Sequence, residues 1–153
     1  MLQEQINQTA GLVGFADIAK EPIKGWPEYL EEGKGFLATA ENAYGHRRIA
    51  FTPEILYNLV AMGIEKLIMA MLMKSGNLPY NHTMGDLVYA MEEFLPGNLG
   101  SLGADLKSLD AFQEICDPEE YTIKIPTMAE VKQMLTLAKK LKTKALAYTS
   151  INC

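Results

Sequence analysis

The sequence predicts an all-α fold, an up-and-down bundle of four to five helices with an irregular N-terminal arm. Apolar residues recur at helical spacing through most of residues 35–150, and threonine-led capping signals precede several of these stretches. No alternation of apolar and polar residues after residue 35 is long enough to predict a strand. We therefore divide the chain into an arm, residues 1–34, and a helical bundle, residues 35–150.

The arm differs from the remainder in composition. It contains two prolines and four glycines, with an aromatic pair, Trp26 and Tyr29, near its end. Proline and glycine interrupt regular structure, so we expect an irregular segment with a short helix at each end. Trp26 is the residue expected to hold this arm against the bundle.

The first two bundle helices are predicted from their stripes and ends. The first should end near Arg48, and its apolar stripe comprises Phe36, Leu37, Ala40, Ala43 and Tyr44. The second begins with a capping Thr52 and Pro53 in the first turn, and it should run to Lys74. Because this helix is apolar nearly all round, it is either the central helix or also faces a partner subunit.

Three further helices follow. Thr83 and Asp86 resemble a capping box at the start of the third helix, which Pro96 and Gly97 end. The fourth is predicted over about residues 104–116, followed by a short extended linker at residues 121–125. Thr127 and Glu130 form a better capping box for the last helix.

Composition limits the function classes. The chain has 153 residues, a length that favours one domain. Its net charge of −5 favours solubility and disfavours broad nucleic-acid binding, DNA included. Cys116 and Cys153 lie far apart, which predicts neither a disulfide framework nor a metal site and indicates a reducing cytoplasm. The longest strictly apolar run, residues 67–73, is too short to cross a bilayer, and the N-terminus does not read as a signal peptide. A soluble, cytoplasmic protein without a cofactor is expected.

Three stretches of residues 36–148 carry a family resemblance. They read FLATAENAYGHRRIAFTPEILYNLVAMGIEKLIMAML, then NHTMGDLVYAM, and finally CDPEEYTIKIPTMAEVKQMLTLA. The stretches resemble the HEPN family of helical bundles, named for nucleotide binding in higher eukaryotes and prokaryotes. The resemblance implies a bundle that dimerises. Its members include ribonucleases, toxins paired with nucleotidyltransferase antitoxins, and catalytically inert binding modules.

The ribonuclease members of that family share an arginine followed, after four to six residues, by a histidine. From Arg47 and Arg48 those positions hold Thr52, Pro53, Glu54 and Ile55, so the motif is absent. The resemblance therefore carries no catalytic residues to this chain.

Two polar clusters are candidate ligand sites. His46, Arg47 and Arg48 form the densest positive cluster, which is either a favourable helix C-terminus or an anion or nucleotide contact. Before the third helix lie Tyr80, Asn81 and His82. Those residues either fix the turn by hydrogen bonds or contact a ligand, and metal binding is the weaker alternative.

The second helix offers further candidates. Asn58 and Glu65 share one face, where they line a pocket or reach solvent at a helix edge. The methionines between residues 62 and 91 fill the core or form an adaptable interface, for which the candidates are Met62, Met69 and Met73. The lysines of the last helix predict a solvated face, with RNA or membrane contact as the alternative.

These observations favour a non-catalytic, HEPN-like homodimer that binds a protein partner or a small nucleotide-like anion. The family also includes pairs with a nucleotidyltransferase, of which this chain would be one half. The alternative is a metal-independent, toxin-like ribonuclease with a displaced pair, Arg47 or Arg48 with His82.

Overall fold

The structure, a computed structural model, describes residues 20–112 and 124–151. Within them the chain forms five α-helices and a 3-10 turn, and these residues contain no strand. The helices are α1 (Trp26–Gly45), α2 (Pro53–Lys74), α3 (Met84–Phe94), α4 (Leu102–Ser108) and α5 (Met128–Thr149), with the 3-10 turn Leu109–Phe112 after α4. The all-α prediction is confirmed.

Helix α1 starts earlier than the sequence predicts. The short helix expected at the end of the arm is present but not separate, because residues 26–34 are the first turns of α1. Pro27 lies in the first helical turn, where a missing N–H costs no hydrogen bond, and Gly25 precedes it with a φ of 99°. The side chain of Trp26 packs against the core, as expected. Residues 1–19 of the predicted arm lie outside the described residues.

Helices α1 and α2 form an antiparallel hairpin. The backbone N–H of Ile23, just before α1, donates to the carbonyl of Met73, near the end of α2, over 2.7 Å. Midway along the pair, Gly33 faces Gly63, and a Cβ added to Gly63 would lie 2.7 Å from the side chain of Leu37. Two glycines at the crossing let the helix axes approach closely.

Helix α2 is the centre of the bundle, in contact with α1, α3 and α5. Its predicted start and end are confirmed, and the Thr52 hydroxyl accepts the N–H of Ile55. It is not buried on every side, because Ile55, Asn58 and Met62 are exposed. By length and composition alone, α2 could span a membrane. However, 61% of its most apolar 18-residue stretch is buried inside the bundle, as in the core helix of a soluble protein.

Helix α3 begins as predicted, with the Asp86 N–H donating to the Thr83 hydroxyl over 3.1 Å. A distant carboxylate adds to this cap. Asp110 accepts the N–H groups of Met84 and Gly85, each over 2.8 Å. The predicted fourth helix differs, because α4 ends at Ser108 and the chain tightens into the 3-10 turn that positions Asp110. Residues 113–123, which include the end of that predicted helix and most of the predicted linker, lie outside the described residues.

Helix α5 packs on α2 and α1 and closes the core. Its predicted capping box is present, since Thr127 and Glu130 exchange backbone and side-chain hydrogen bonds. At its other end, the Lys74 ammonium of α2 donates to three carbonyl oxygens around the last turn. The hairpin and α5 are thereby tied together at the C-terminal end of the last helix.

Candidate functional site

The open side of α2 faces a groove of about 700 Å³, called the α2 groove below. Its walls are α2, the start of α3, the end of the 3-10 turn and the segment leading into α5. The lining residues are Glu54, Tyr57, Asn58, Ala61, Met62, Glu65, His82, Met84, Phe112, Lys124, Ile125 and Pro126. On α2 these residues recur at helical spacing, so one edge of an otherwise buried helix forms the longest wall.

A short contact between Glu65 and His82 closes one end of the α2 groove. Nδ1 of His82 lies 2.6 Å from Oε1 of Glu65, with side-chain exposures of 58% and 33%. In the tautomer with its hydrogen on Nδ1, His82 donates to this carboxylate oxygen, and Nε2 remains for another partner. The contact ties the loop before α3 to the middle of α2.

Aromatic residues and one lysine form the opposite wall. The Tyr57 hydroxyl donates to the carbonyl of Leu109 over 3.1 Å, and its ring lies 5.6 Å from that of Phe112. The Lys124 ammonium lies 4.9 Å from the centre of the Phe112 ring and 3.3 Å from a carboxylate oxygen of Glu130. These contacts fix the wall, and they leave Lys124 with part of its charge already compensated.

Glu130 also has a perturbed acidity. The backbone N–H of Thr127 holds the pKa of its carboxyl below the ordinary value, and Lys124 adds to the effect. Hydrogen bonds to the charged form favour it over the neutral acid. The Glu130 carboxylate therefore already has partners, the N–H of Thr127 at the start of α5 and the ammonium of Lys124.

The basic cluster lies apart from the α2 groove, in the exposed loop of residues 46–50, called the basic loop below. His46 caps α1, because its backbone N–H donates to the carbonyl of Asn42 and its Nδ1 lies 2.9 Å from the same oxygen. Arg47 has a left-handed φ of 47°, and Ile49 is 98% exposed. His46 therefore caps the C-terminal end of α1, whereas both arginines lie in the exposed loop that follows.

A shallow hollow of about 310 Å³ adjoins the basic loop. Its lining includes Arg48, Asn42 and Phe51, which together offer a cation, an amide and an aromatic ring. Neither Glu65 nor His82 lines this hollow. From Pro53 to Glu65 the axis of α2 rises about 18 Å at about 1.5 Å per residue, so the arginines and His82 do not share one site.

Not all predicted candidates meet. Of Tyr80, Asn81 and His82, only His82 lines the α2 groove; Tyr80 and Asn81 are exposed. The three methionines predicted as interface candidates also differ in exposure, and the prediction is corrected for two of them. Met69 and Met73 are 4% and 6% exposed, so both belong to the core. Met62, at 42%, is the member of that set with area available to a partner.

Sequence reasoning missed several groove residues, among them Tyr57, Phe112 and Lys124. The shared face of Asn58 and Glu65 was the available signal, since Glu54 and Met62 lie on the same helical edge. Nothing local predicts that Phe112 and Lys124 approach that edge, because their positions depend on how the 3-10 turn and α5 pack.

The described residues contain no cluster of three or more histidine, cysteine, aspartate or glutamate side chains arranged to hold a metal ion. Comparison with known proteins gives no match to a protein-family model, a curated protein or a solved structure.

Proposed function

We propose that this chain is a non-catalytic, HEPN-like helical bundle that forms a homodimer through the α2 groove. One observation carries the proposal: the central helix, elsewhere buried, exposes one edge, and Ile55 and Met62 on that edge are 41% and 42% exposed. Apolar area left open on a core helix is typical of a protein contact.

The surroundings of that edge support a protein occupant. Ile125 and Met128, which flank the start of α5, are 59% and 41% exposed. A stable interface buries about 800 Å² on each partner, more than a single small ligand covers. A two-fold dimer joins one face of the chain to the same face of its copy, so the α2 groove would receive a complementary part of that face from the second copy.

One feature weighs against the ribonuclease alternative. The displaced ribonuclease pair would need an arginine beside His82, whereas Arg48 lines a different hollow. RNA incubated with purified protein should therefore stay intact. Cleavage that disappears in a His82→Ala variant would establish the ribonuclease alternative.

Light scattering after size exclusion, across micromolar concentrations, tests the dimer. The wild type should elute as a dimer, and Met62→Lys should shift it towards monomer by placing an ammonium in the contact. Leu78→Lys is the matched control, because Leu78 is 53% exposed and lies outside the α2 groove. A wild type that stays monomeric at every concentration would refute the proposal.

A nucleotide-like anion at the hollow beside Arg48 is a second candidate function. The neighbouring Phe51 ring and Asn42 amide favour it over a bare surface charge. A thermal-shift panel of nucleotides tests it, since a ligand at 100 times its dissociation constant adds about 2.7 kcal/mol of stability. The shift should be lost in Arg48→Gln; no shift with any nucleotide would remove this candidate.

A further inference from the structure

We propose that the basic loop of one copy docks into the α2 groove of a second copy, with Arg48 meeting Glu65 and Ile49 entering the apolar lining. This inference rests on the proposed dimer and specifies which surfaces it joins. Each copy would give its loop and receive its partner's, so the contact would occur twice about a two-fold axis.

The basic loop has the chemistry of an inserted element. Arg47 and Arg48 are exposed and, among the described residues, their side chains make no hydrogen bond or ion pair. These are the chain's two arginines, both beside an isoleucine that is 98% exposed. Leaving so much apolar area in water is unfavourable, and a contact that covers it recovers that free energy.

The α2 groove has the complementary chemistry. Glu54 at its mouth makes no side-chain hydrogen bond or ion pair within the described residues, and Glu65 has only the contact with His82. Between the two carboxylates lie Ala61 and Met62, which provide apolar area. A surface with two carboxylates around apolar residues fits a loop with two guanidinium groups beside an isoleucine.

The spacing along α2 allows the basic loop of each copy to reach the α2 groove of the other copy at the same time. If two α2 helices pack antiparallel about an axis through Asn58, positions equally far from Asn58 on the two chains face each other. Pro53, the first residue of α2, and Gly63 are such positions, each about 7.5 Å from Asn58 along the helix axis, and Glu65 lies about 3 Å beyond Gly63. The basic loop, just before Phe51, then lies over the Glu65 end of the partner's groove.

A second copy fits these observations better than a free anion. An anion on Arg48 leaves Ile49 in water, and an anion in the α2 groove meets two carboxylates and one lysine, Lys124, which already faces Glu130. A second copy covers the isoleucine and pairs the charges in one contact.

Charge exchange between chains tests the inference. Arg48→Glu and Glu65→Arg should each raise the dimer dissociation constant by about tenfold or more, measured by sedimentation across dilution. An equimolar mixture of the two variants should dimerise like the wild type, because the mixed dimer has an opposite-charge pair at both contacts. Recovery in the mixture distinguishes pairing between chains from a contact within one chain.

Two controls accompany the exchange. Glu93→Arg, at an exposed position outside the α2 groove and the basic loop, is the matched control for Glu65→Arg and should leave the dimer intact. Ile49→Asp should weaken the dimer, whereas Ile151→Asp, at a position 60% exposed and far from both surfaces in sequence, should not.

The experiments distinguish failure of the proposed dimer from failure of the loop-to-groove contact. A monomeric wild type overturns both the dimer and this inference. A wild-type dimer that persists unchanged in Arg48→Glu and Ile49→Asp, or a variant mixture that does not recover, overturns the loop-to-groove contact alone. A thermal-shift assay with inorganic phosphate tests whether Arg48 binds a free anion instead. If phosphate stabilises the wild type but not Arg48→Glu, and Arg48→Glu dimerises like the wild type, Arg48 belongs to an anion site and the inference is overturned.

Discussion

Replacing Lys74 with methionine should destabilise the bundle more than any other single lysine change in α2 or α5. The Lys74 ammonium donates to the carbonyls of Tyr148, Thr149 and Ile151 over 3.2, 3.0 and 2.7 Å. It also lies 5.4 Å from the centre of the Trp26 ring and 5.5 Å from that of Tyr148. One side chain therefore links the start of α1, the end of α2 and the end of α5.

The expected loss follows from these contacts. A charged hydrogen bond contributes about 1.5–3 kcal/mol and a partly exposed cation–π contact about 0.5–1 kcal/mol, although shared geometry and solvent make the sum less than additive. A cation at a helix C-terminus adds about 0.3–1 kcal/mol. Methionine keeps the apolar stem, so Lys74→Met should lose about 2–3 kcal/mol, or roughly 5–10 °C in Tm for a domain of this size.

Urea denaturation followed by circular dichroism measures this loss directly. Lys139→Met is the matched control, because Lys139 lies on the exposed side of α5 and should change the stability by no more than about 0.5 kcal/mol. A Lys74→Met variant no less stable than Lys139→Met would show that the three carbonyl contacts do not stabilise the fold.

Three further predictions concern other parts of the fold. Gly63→Ala should lose about 1–3 kcal/mol in the same denaturation assay, because its Cβ would lie 2.7 Å from the Leu37 side chain. Gly35→Ala, which meets nothing within 4 Å, should instead gain about 0.5–1 kcal/mol, and equal effects of the two changes would contradict the close crossing. Asp110→Ala should cost about 1–2 kcal/mol by releasing two N–H groups at the start of α3, visible as faster amide hydrogen exchange there; unchanged exchange would argue against this cap. Because the folded state lowers the pKa of Glu130, its stabilising effect is present above its ordinary pKa of 4.5 and is lost as the pH falls through the lowered value. Glu130→Gln should therefore be less stable than the wild type at pH 7, with a gap that narrows towards pH 3, and a gap independent of pH would refute the assignment.

The helix ends could be predicted where local chemistry decides them. Thr52, Thr83 and Thr127 cap their helices through their own hydroxyl groups, and each signal lies within a few residues of the sequence. Pro27 was misread because proline is equally a breaker and a first-turn residue. The decision between the two depends on the packing of Trp26 and Ile23 against α2, which no local pattern encodes.

The candidate site was only partly predictable for the same reason. Asn58 and Glu65 could be placed on one face from helical periodicity, and both line the α2 groove. Their nearest partners come from distant segments, since His82 lies in the loop before α3 and Phe112 ends the 3-10 turn. Met69 and Met73 could not be separated from Met62 by composition, because the neighbours that bury a methionine are fixed only by tertiary packing.

The position of Asp110 also bears on what the α2 groove can accept. A helix start normally offers free N–H groups to an anion, but at the start of α3 the carboxylate of Asp110 already accepts those of Met84 and Gly85. An incoming phosphate would have to displace this carboxylate while facing Glu54 and Glu65 across the groove. The two carboxylates outnumber Lys124, whose charge Glu130 partly offsets, so the lining favours an occupant that brings its own positive charge, as the arginines of the basic loop would in the proposed dimer.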